Sequence, residues 1–477
     1  MISGLFTDFY ELTMAQGFYS THKNPDVVYD VFFRKHPFNG GFSILAGLDP
    51  LLKKITSLRF SKEDIDFLSK QEIFTQDFLN FLSSWHFSGD IYAFDEGSLI
   101  FPQEPVIRVH AHLIDAQIIE SLILNYINFQ SLIATKTCRI YISSGMGHIT
   151  EFGLRRAQGT DGAISAARAA YIGGAESTSN TLAASRYGIK TSGTMAHSWV
   201  MSFDSEEEAF MQYADLYPAN SVFLIDTYDT LKSGITNAIK AGLYLKNKGY
   251  NFGVRLDSGD IDYLSRQVRS KLDEAGLTSA TISVTNELTE EIINTLCKSG
   301  CPVDIWGVGT NLVTGGSESS FSGVYKMCAR KEERSQSYRN VMKFSDNPVK
   351  TTNPGIKKVY RLYDENGMAK GDAIALEDEE LLTNTEYRYF HPMIDYRQFS
   401  LKASCIKPLL SKKIEKGIIL DTMSDNEAII RARNLMISEL KTLDNSYKRI
   451  LNPHIYKVSL TQGLKDLKLS LIKDNIK

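Results

Sequence analysis

The sequence predicts an α/β protein: an irregular (β/α) barrel of parallel strands attached to an α+β N-terminal domain, which strands from later in the chain rejoin. Three observations predict it. From His148 onward, short apolar runs that end in polar residues or glycine alternate with helical stretches. Ahead of that region, Val28–Phe33 and Ile107–His112 alternate apolar and polar residues, the pattern of half-exposed antiparallel strands. Beyond it, Gly323–Met327 and Val341–Phe344 read as strands again, returning to the first domain. A doubly wound open sheet is the runner-up for the alternating region.

With 477 residues the chain exceeds what one ordinary core organises, so more than one domain is expected. Residues 1–135 are assigned to the N-terminal α+β domain, completed by about 325–400, with 136–324 as the barrel and 401–477 as a mostly helical C-terminal segment. At 43% hydrophobic and 23% charged residues, with a net charge of -3, the composition is that of a water-soluble globular protein. That balance argues against bulk electrostatic binding to nucleic acid. Five cysteines, an odd number in a long chain, read as reduced thiols and a cytoplasmic location. Cys297 and Cys301 lie one helical turn apart, but no Cys/His cluster flanks them to complete a zinc site.

Asp8 and Glu11 interrupt the region where an export signal would need an apolar run. Ile114–Ile133 is broken by Asp115, Glu120, Asn125 and Asn128, so it reads as a buried helix and not as a membrane span. His110 and His112 share a strand face, yet no third ligand stands at matching spacing, which leaves a solvated face as the better reading.

The barrel units follow in order. Ile149–Leu154 precedes a helix over Gly162–Ile172, and Ile189–Thr194 one over Ser205–Leu216. Ser221–Asp226 leads to Thr230–Lys248, Phe252–Asp257 to Asp260–Gly276, and Thr281–Thr285 to Glu287–Ser299; Val303–Val308 closes the series. Parallel strands of this kind present ligands at their carboxyl ends. Those ends are polar: Arg155-Arg156, Thr194 to Ser198, Asp226-Thr227-Tyr228-Asp229, Arg255 to Asp260, and Gly307 to Asn311.

Within Gly193-Thr194-Met195-Ala196-His197-Ser198 the histidine is suited to moving protons or phosphoryl groups near neutral pH. A lone histidine is more often a satisfied structural residue, but the other polar strand ends shift that balance. Arg255 and Asp257 face the same way on a strand, offering a guanidinium fork beside a carboxylate suited to hydroxyls. Gly307 to Asn311 reads as a phosphate cradle, with backbone N–H groups exposed by the glycines and a hydroxyl on Thr310. The loop is not a Walker A sequence, since no Gly-Lys-Ser/Thr follows. Together these groups point to a phosphosugar substrate with a second anionic partner. After the barrel, the 343–358 segment, with Lys343, Lys350, Lys357 and Lys358, reads as a basic loop or a lid, Glu377–Glu380 as a solvated acidic run, and Asn426–Leu443 as a helix.

These residues resemble the nicotinate phosphoribosyltransferase family. The resemblance rests on Thr7 to Met14, Glu151-Phe152-Gly153-Leu154-Arg155-Arg156, Gly193 to Ser198, Asp226 to Asp229, Arg255 to Asp260, Gly307 to Thr310 and Leu451 to Tyr456, in the family's order. It implies synthesis of nicotinate mononucleotide and pyrophosphate from nicotinate and phosphoribosyl pyrophosphate, coupled to ATP hydrolysis, in NAD salvage. It also implies ATP as co-substrate, Mg2+, and a homodimer with shared active sites. His197 becomes the phosphorylated histidine, with Asp226 orienting it. Tyr10, Thr194, Arg255 and, beside the pyridine or the pyrophosphate, Arg155 fall at nicotinate positions. Asp257 falls at the ribose, with Gly309 and Thr310 at the 5'-phosphate. A nicotinamide phosphoribosyltransferase is the nearest rival, Arg155-Arg156 and the Gly193–Ser198 turn favouring nicotinate. A catalytically silent nucleotide sensor is opposed by intact His197, Arg255 and Asp257, and a barrel isomerase or aldolase lacks a lysine or glutamate base placed as well as His197.

Overall fold

In the computed structural model, which describes residues 2–332, 337–347, 350–394 and 396–475, the chain divides into two units. One comprises Met1–Leu132 with Ser320–Lys477 and the other Ile133–Ser319; the boundary falls inside the helix Glu120–Ser143.

The second unit is built on a seven-stranded, all-parallel sheet. Its strands run in the spatial order Lys190–Thr191, Ser177–Thr178, His148–Glu151, Ile305–Val308, Thr281–Val284, Gly253–Leu256 and Val222–Leu224. Strand and helix alternate, and at several of the connections a side-chain cap starts the helix. Asn180 accepts from the Ala183 amide, Ser205 from Glu208, Asp260 from Tyr263 and Thr289 from Ile292. Each such cap stabilises its helix by about 1 kcal/mol. The expected series of strands gains a member, Ser177–Thr178, whose two residues are too few to show a two-residue alternation. Lys190–Thr191 and Val222–Leu224 form the edges of this sheet, so the architecture is a parallel half-barrel, in keeping with an irregular (β/α) barrel.

In the first unit a seven-stranded antiparallel sheet pairs Asp26–Phe33 with both Ile107–His112 and Gly323–Lys331, so the later chain does rejoin the earlier one. Asp26–Phe33 is not half-exposed as its alternation predicts. From Val27 onward every residue is buried, and Asp30, on what would be the wet face, is neutralised by Lys357 at 2.8 Å. The same pair corrects the reading of the basic segment: Lys357 is a buried structural cation. Pro348 and Val349 of that segment lie outside the described residues. The strand expected at Val341–Phe344 falls instead at Tyr338–Asn340.

A six-stranded sheet completes this unit, ordered Gln398–Lys402, Glu386–Phe390, Val458–Leu460, Ala369–Leu376, Lys357–Tyr363 and Cys405–Pro408. The segment 401–477, expected to be mostly helical, supplies the strands Cys405–Pro408, Ser411–Glu415, Ile418–Ile419 and Val458–Leu460 alongside the helices Asp425–Thr442 and Gln462–Asn475. Partners distant in sequence stabilise all of these short strands but Ile418–Ile419, which pairs with the adjacent Ser411–Glu415. The acidic run is likewise only partly solvated: Glu379 accepts from Thr461 and from the amides of Leu376 and Gly463. Among the described residues no helix is long and apolar enough to cross a membrane, and no group of His, Cys, Asp and Glu side chains is arranged to hold a metal on its own.

Candidate active site

At the carboxyl ends of the parallel strands the hydrogen bonds converge on Arg255. It sits third in the strand Gly253–Leu256, between the buried Val254 and Leu256, so the pleat turns it to the opposite face from them. Its Nη1 donates to Thr194 Oγ1 at 2.9 Å, its Nε to Thr285 Oγ1 at 3.0 Å, and its Nη2 lies 3.1 Å from Asp257 Oδ1. Thr285 in turn donates to Asp257 Oδ1. The register explains this closure. Arg255 is paired with Ser283 and Leu256 with Val284, so one step further places Asp257 beside Thr285.

His197 opens the short helix His197–Met201. Its Nδ1 is 3.1 Å from Thr227 Oγ1, and its Nε2 is 3.8 Å from Asp257 Oδ2. Asp226 does not touch the imidazole. Its Oδ2 accepts from the Asp257 amide at 2.9 Å and from Ser258 Oγ at 2.6 Å, while its Oδ1 is buried with no partner among the described residues. The orienting contacts on His197 thus come from Thr227 and Asp257, not from Asp226 as the resemblance implies.

Burial alone would raise the Asp257 carboxyl, but the Thr285 hydroxyl, the Arg255 guanidinium and His197 more than offset it and hold it below the usual range. Asp257 is therefore an ionised acceptor at neutral pH. Side-chain exposures of 14% for Arg255, 31% for Asp257 and 41% for His197 leave the cluster open on one side to a ligand.

A second group of residues forms the wall beside it. Glu151 ends the strand His148–Glu151 fully buried, accepting from Thr178 Oγ1 at 2.5 Å and from the Gly153 amide, which fixes the intervening Phe152. Burial pushes the Glu151 carboxyl up, and those two hydrogen bonds oppose the shift. The Phe152 ring centroid lies 5.7 Å from the Arg255 guanidinium carbon, within cation–π reach. Gly307 has to be glycine here: a Cβ would come within 2.5 Å of Thr285 Cγ2 and 2.7 Å of Phe152 Cδ2. Gly309 and Thr310 follow at the end of the same strand, Ile305–Val308, Thr310 opening the turn Thr310–Val313.

Thr194, His197, Arg255 and Asp257 are thus joined in one network, with Asp226 bonded to its edge through the Asp257 amide. Arg155 stands apart: it is exposed on the turn Leu154–Arg156 and takes no part in those hydrogen bonds. Tyr10 belongs to the first unit, on the helix Phe9–Ser20, and is 52% exposed. The adjacent Glu11 carboxylate, followed by burial, raises its hydroxyl above the ordinary range. Sequence reasoning did not single out Thr227, Thr285, Ser258 or Phe152. For Thr285 the signal was there, since it ends the next apolar run, but its partner depends on strand register.

The chain is similar to known proteins over nearly its whole length. The nicotinate phosphoribosyltransferase (NAPRTase) family matches residues 147–389, its N-terminal domain 5–128 and its C-terminal domain 356–468. The chain is 38% identical to the nicotinate phosphoribosyltransferase of Bacillus subtilis over 98% of its length and 95% of that protein's. It is 34% identical to that of Caenorhabditis elegans, covering 97% of this chain and 92% of the relative. The crystal structure of human nicotinic acid phosphoribosyltransferase superposes with a TM-score of 0.85 at 27% identity, over 98% of this chain and 99% of that one.

Proposed function

The chain belongs to the nicotinate phosphoribosyltransferase family, and from that premise we propose how its own residues carry the reaction. Its activity is phosphoribosyl transfer to nicotinate for NAD salvage. In the proposed scheme Arg255 receives the nicotinate carboxylate through its guanidinium, with the Thr194 hydroxyl alongside. Asp257, kept ionised, accepts hydrogen bonds from the ribose hydroxyls. Gly309 and Thr310 hold the 5'-phosphate, Arg155 reaches the pyridine or the pyrophosphate, and Tyr10 stacks on the pyridine in a homodimer whose sites are shared.

Transfer breaks the bond from the anomeric carbon to pyrophosphate and forms one to the ring nitrogen, with oxocarbenium character between. Placement and fixed charge do most of the work in such a step. Asp257 faces the developing positive charge. The orphaned, buried Oδ1 of Asp226 suits a hard cation, and Mg2+ held there with the substrate's own phosphates would neutralise the departing pyrophosphate. ATP coupling runs through His197. Thr227 holds the ring by Nδ1, which leaves Nε2 to take the γ-phosphoryl group: the γ-phosphorus–oxygen bond breaks, nitrogen–phosphorus forms, and ADP leaves. Hydrolysis of phosphohistidine then returns the imidazole. A cytoplasmic location fits reduced thiols and the ATP and phosphoribosyl pyrophosphate substrates.

The observation that carries this reading is the chain of contacts from Thr194 through Arg255 and Asp257 to His197. Its test is a product assay with phosphoribosyl pyrophosphate and ATP, in which nicotinate competes against nicotinamide. Formation of nicotinate mononucleotide with ATP consumed is the expected result; preference for nicotinamide would overturn the substrate assignment.

A further inference from the structure

Away from the barrel, the first unit holds a cavity of about 740 Å³ between the Pro102–Gln103 turn, the loop after Phe390 and the chain around Tyr456. That volume is in the range of small-molecule sites, about 300–1,000 Å³. Gln103 stands out on its wall. It is 7% exposed, its backbone is left-handed at φ 75°, and its side-chain nitrogen has no hydrogen-bond partner among the described residues. A strained backbone that buries an unsatisfied donor costs stability twice over, and such residues concentrate where a ligand is held.

Among the described residues, the charged side chains on the wall are all cations. Arg34 has a buried Nε without a partner among the described residues. His391 accepts on Nδ1 from the amides of Met393 and Ile394, at 3.1 and 3.0 Å, so in its neutral form Nε2 carries the proton and is a donor. Burial first, then Arg397 and Lys468, lower the His391 pKa and favour that neutral form. Arg397 and Lys457 add exposed cations at the mouth. Among the described residues that line the cavity there is no carboxylate.

The rest of the wall is aromatic and apolar. Tyr456 is buried, stacked on Phe101 at 3.7 Å and tied by its hydroxyl to Asp372 at 2.8 Å, while Lys457 Nζ lies 4.8 Å from the Phe399 ring. From buried donors that lack partners among the described residues, beside fixed rings, we propose that this cavity is a second ligand site, which binds a phosphate-bearing aromatic molecule of nucleotide size. The donors take the phosphate and the rings take the base.

The test titrates the full chain with AMP, with adenosine and inorganic phosphate as separate arms. Gln103→Gly removes the amide donor, and glycine adopts the left-handed backbone without strain, so the melting temperature should hold. AMP affinity should fall about tenfold in Gln103→Gly and at least as far in Arg397→Glu. Nicotinate turnover should remain unchanged in both. Unchanged AMP affinity in both variants would overturn the site. Adenosine binding as tightly as AMP would overturn the phosphate part, and phosphate competing as well as AMP would overturn the nucleotide part. A raised KM for phosphoribosyl pyrophosphate in Arg397→Glu would assign the cavity to the reaction's own site and overturn its independence.

Discussion

His197 Nδ1 lies 3.1 Å from Thr227 Oγ1, although the two residues follow strands at opposite edges of the seven-stranded sheet. Laid flat, six strand spacings would hold those edges roughly 29 Å apart. The half-barrel therefore curls until its edges meet through side chains, and the imidazole sits on that seam.

Replacing the imidazole tests the coupling assigned to it. The His197→Ala protein should form nicotinate mononucleotide slowly and without consuming ATP. The check is the ratio of ADP to product, and a ratio unchanged from wild type would rule out a phosphorylated His197.

Arg255 donates to three acceptors from a side chain only 14% exposed, so its charge is well placed to meet a carboxylate. Arg255→Ala should raise the KM for nicotinate, costing roughly 2–4 kcal/mol of binding. Steady-state kinetics at saturating phosphoribosyl pyrophosphate measures this, and an unaltered KM would remove the residue from the nicotinate pocket.

Thr285 touches both Arg255 and Asp257 without being assigned to substrate. Thr285→Val keeps the shape and deletes the shared hydroxyl, so kcat/KM should drop about tenfold while the fold persists. Because the threonine acts through Arg255, the double variant with Arg255→Ala should lose little more than Arg255→Ala alone. Full additivity would contradict a positioning role.

Tyr10 is half exposed, and its removal should leave the core untouched. Tyr10→Ala should weaken nicotinate binding with an essentially unchanged melting temperature. A collapse in melting temperature would return the residue to a structural role.

Beside it, Glu11 is fully buried, and burial, helped by Glu120 and Asp8 against Tyr10 and Lys326, raises its pKa from 4.5 to about 7. A pKa raised on folding means the folded protein binds that proton more tightly than the unfolded chain does. The stability this supplies is fully present below 4.5 and lost as pH rises through about 7. Glu11→Gln should therefore melt higher than wild type at about pH 8, by an amount that shrinks toward about pH 5. Parallel melting curves across that interval would show that Glu11 does not titrate as described.

The sequence by itself determined the alternation of strands and helices from His148 to Val308, because hydrophobic period and capping residues are local. It also placed Arg255 and Asp257 together, since residues two apart on a strand share a face. Their polar character at a strand end marked the site before any fold was known. Local pattern did not reveal the Ser177–Thr178 strand, the burial of Asp30 against Lys357, or the role of Thr285. Only the tertiary structure decided these, because strand register and sheet curvature are set by packing between segments far apart in the chain. It was the same curvature that gave His197 Thr227 and Asp257 as its neighbours and turned Asp226 toward a backbone amide, a choice that no spacing along the sequence encodes.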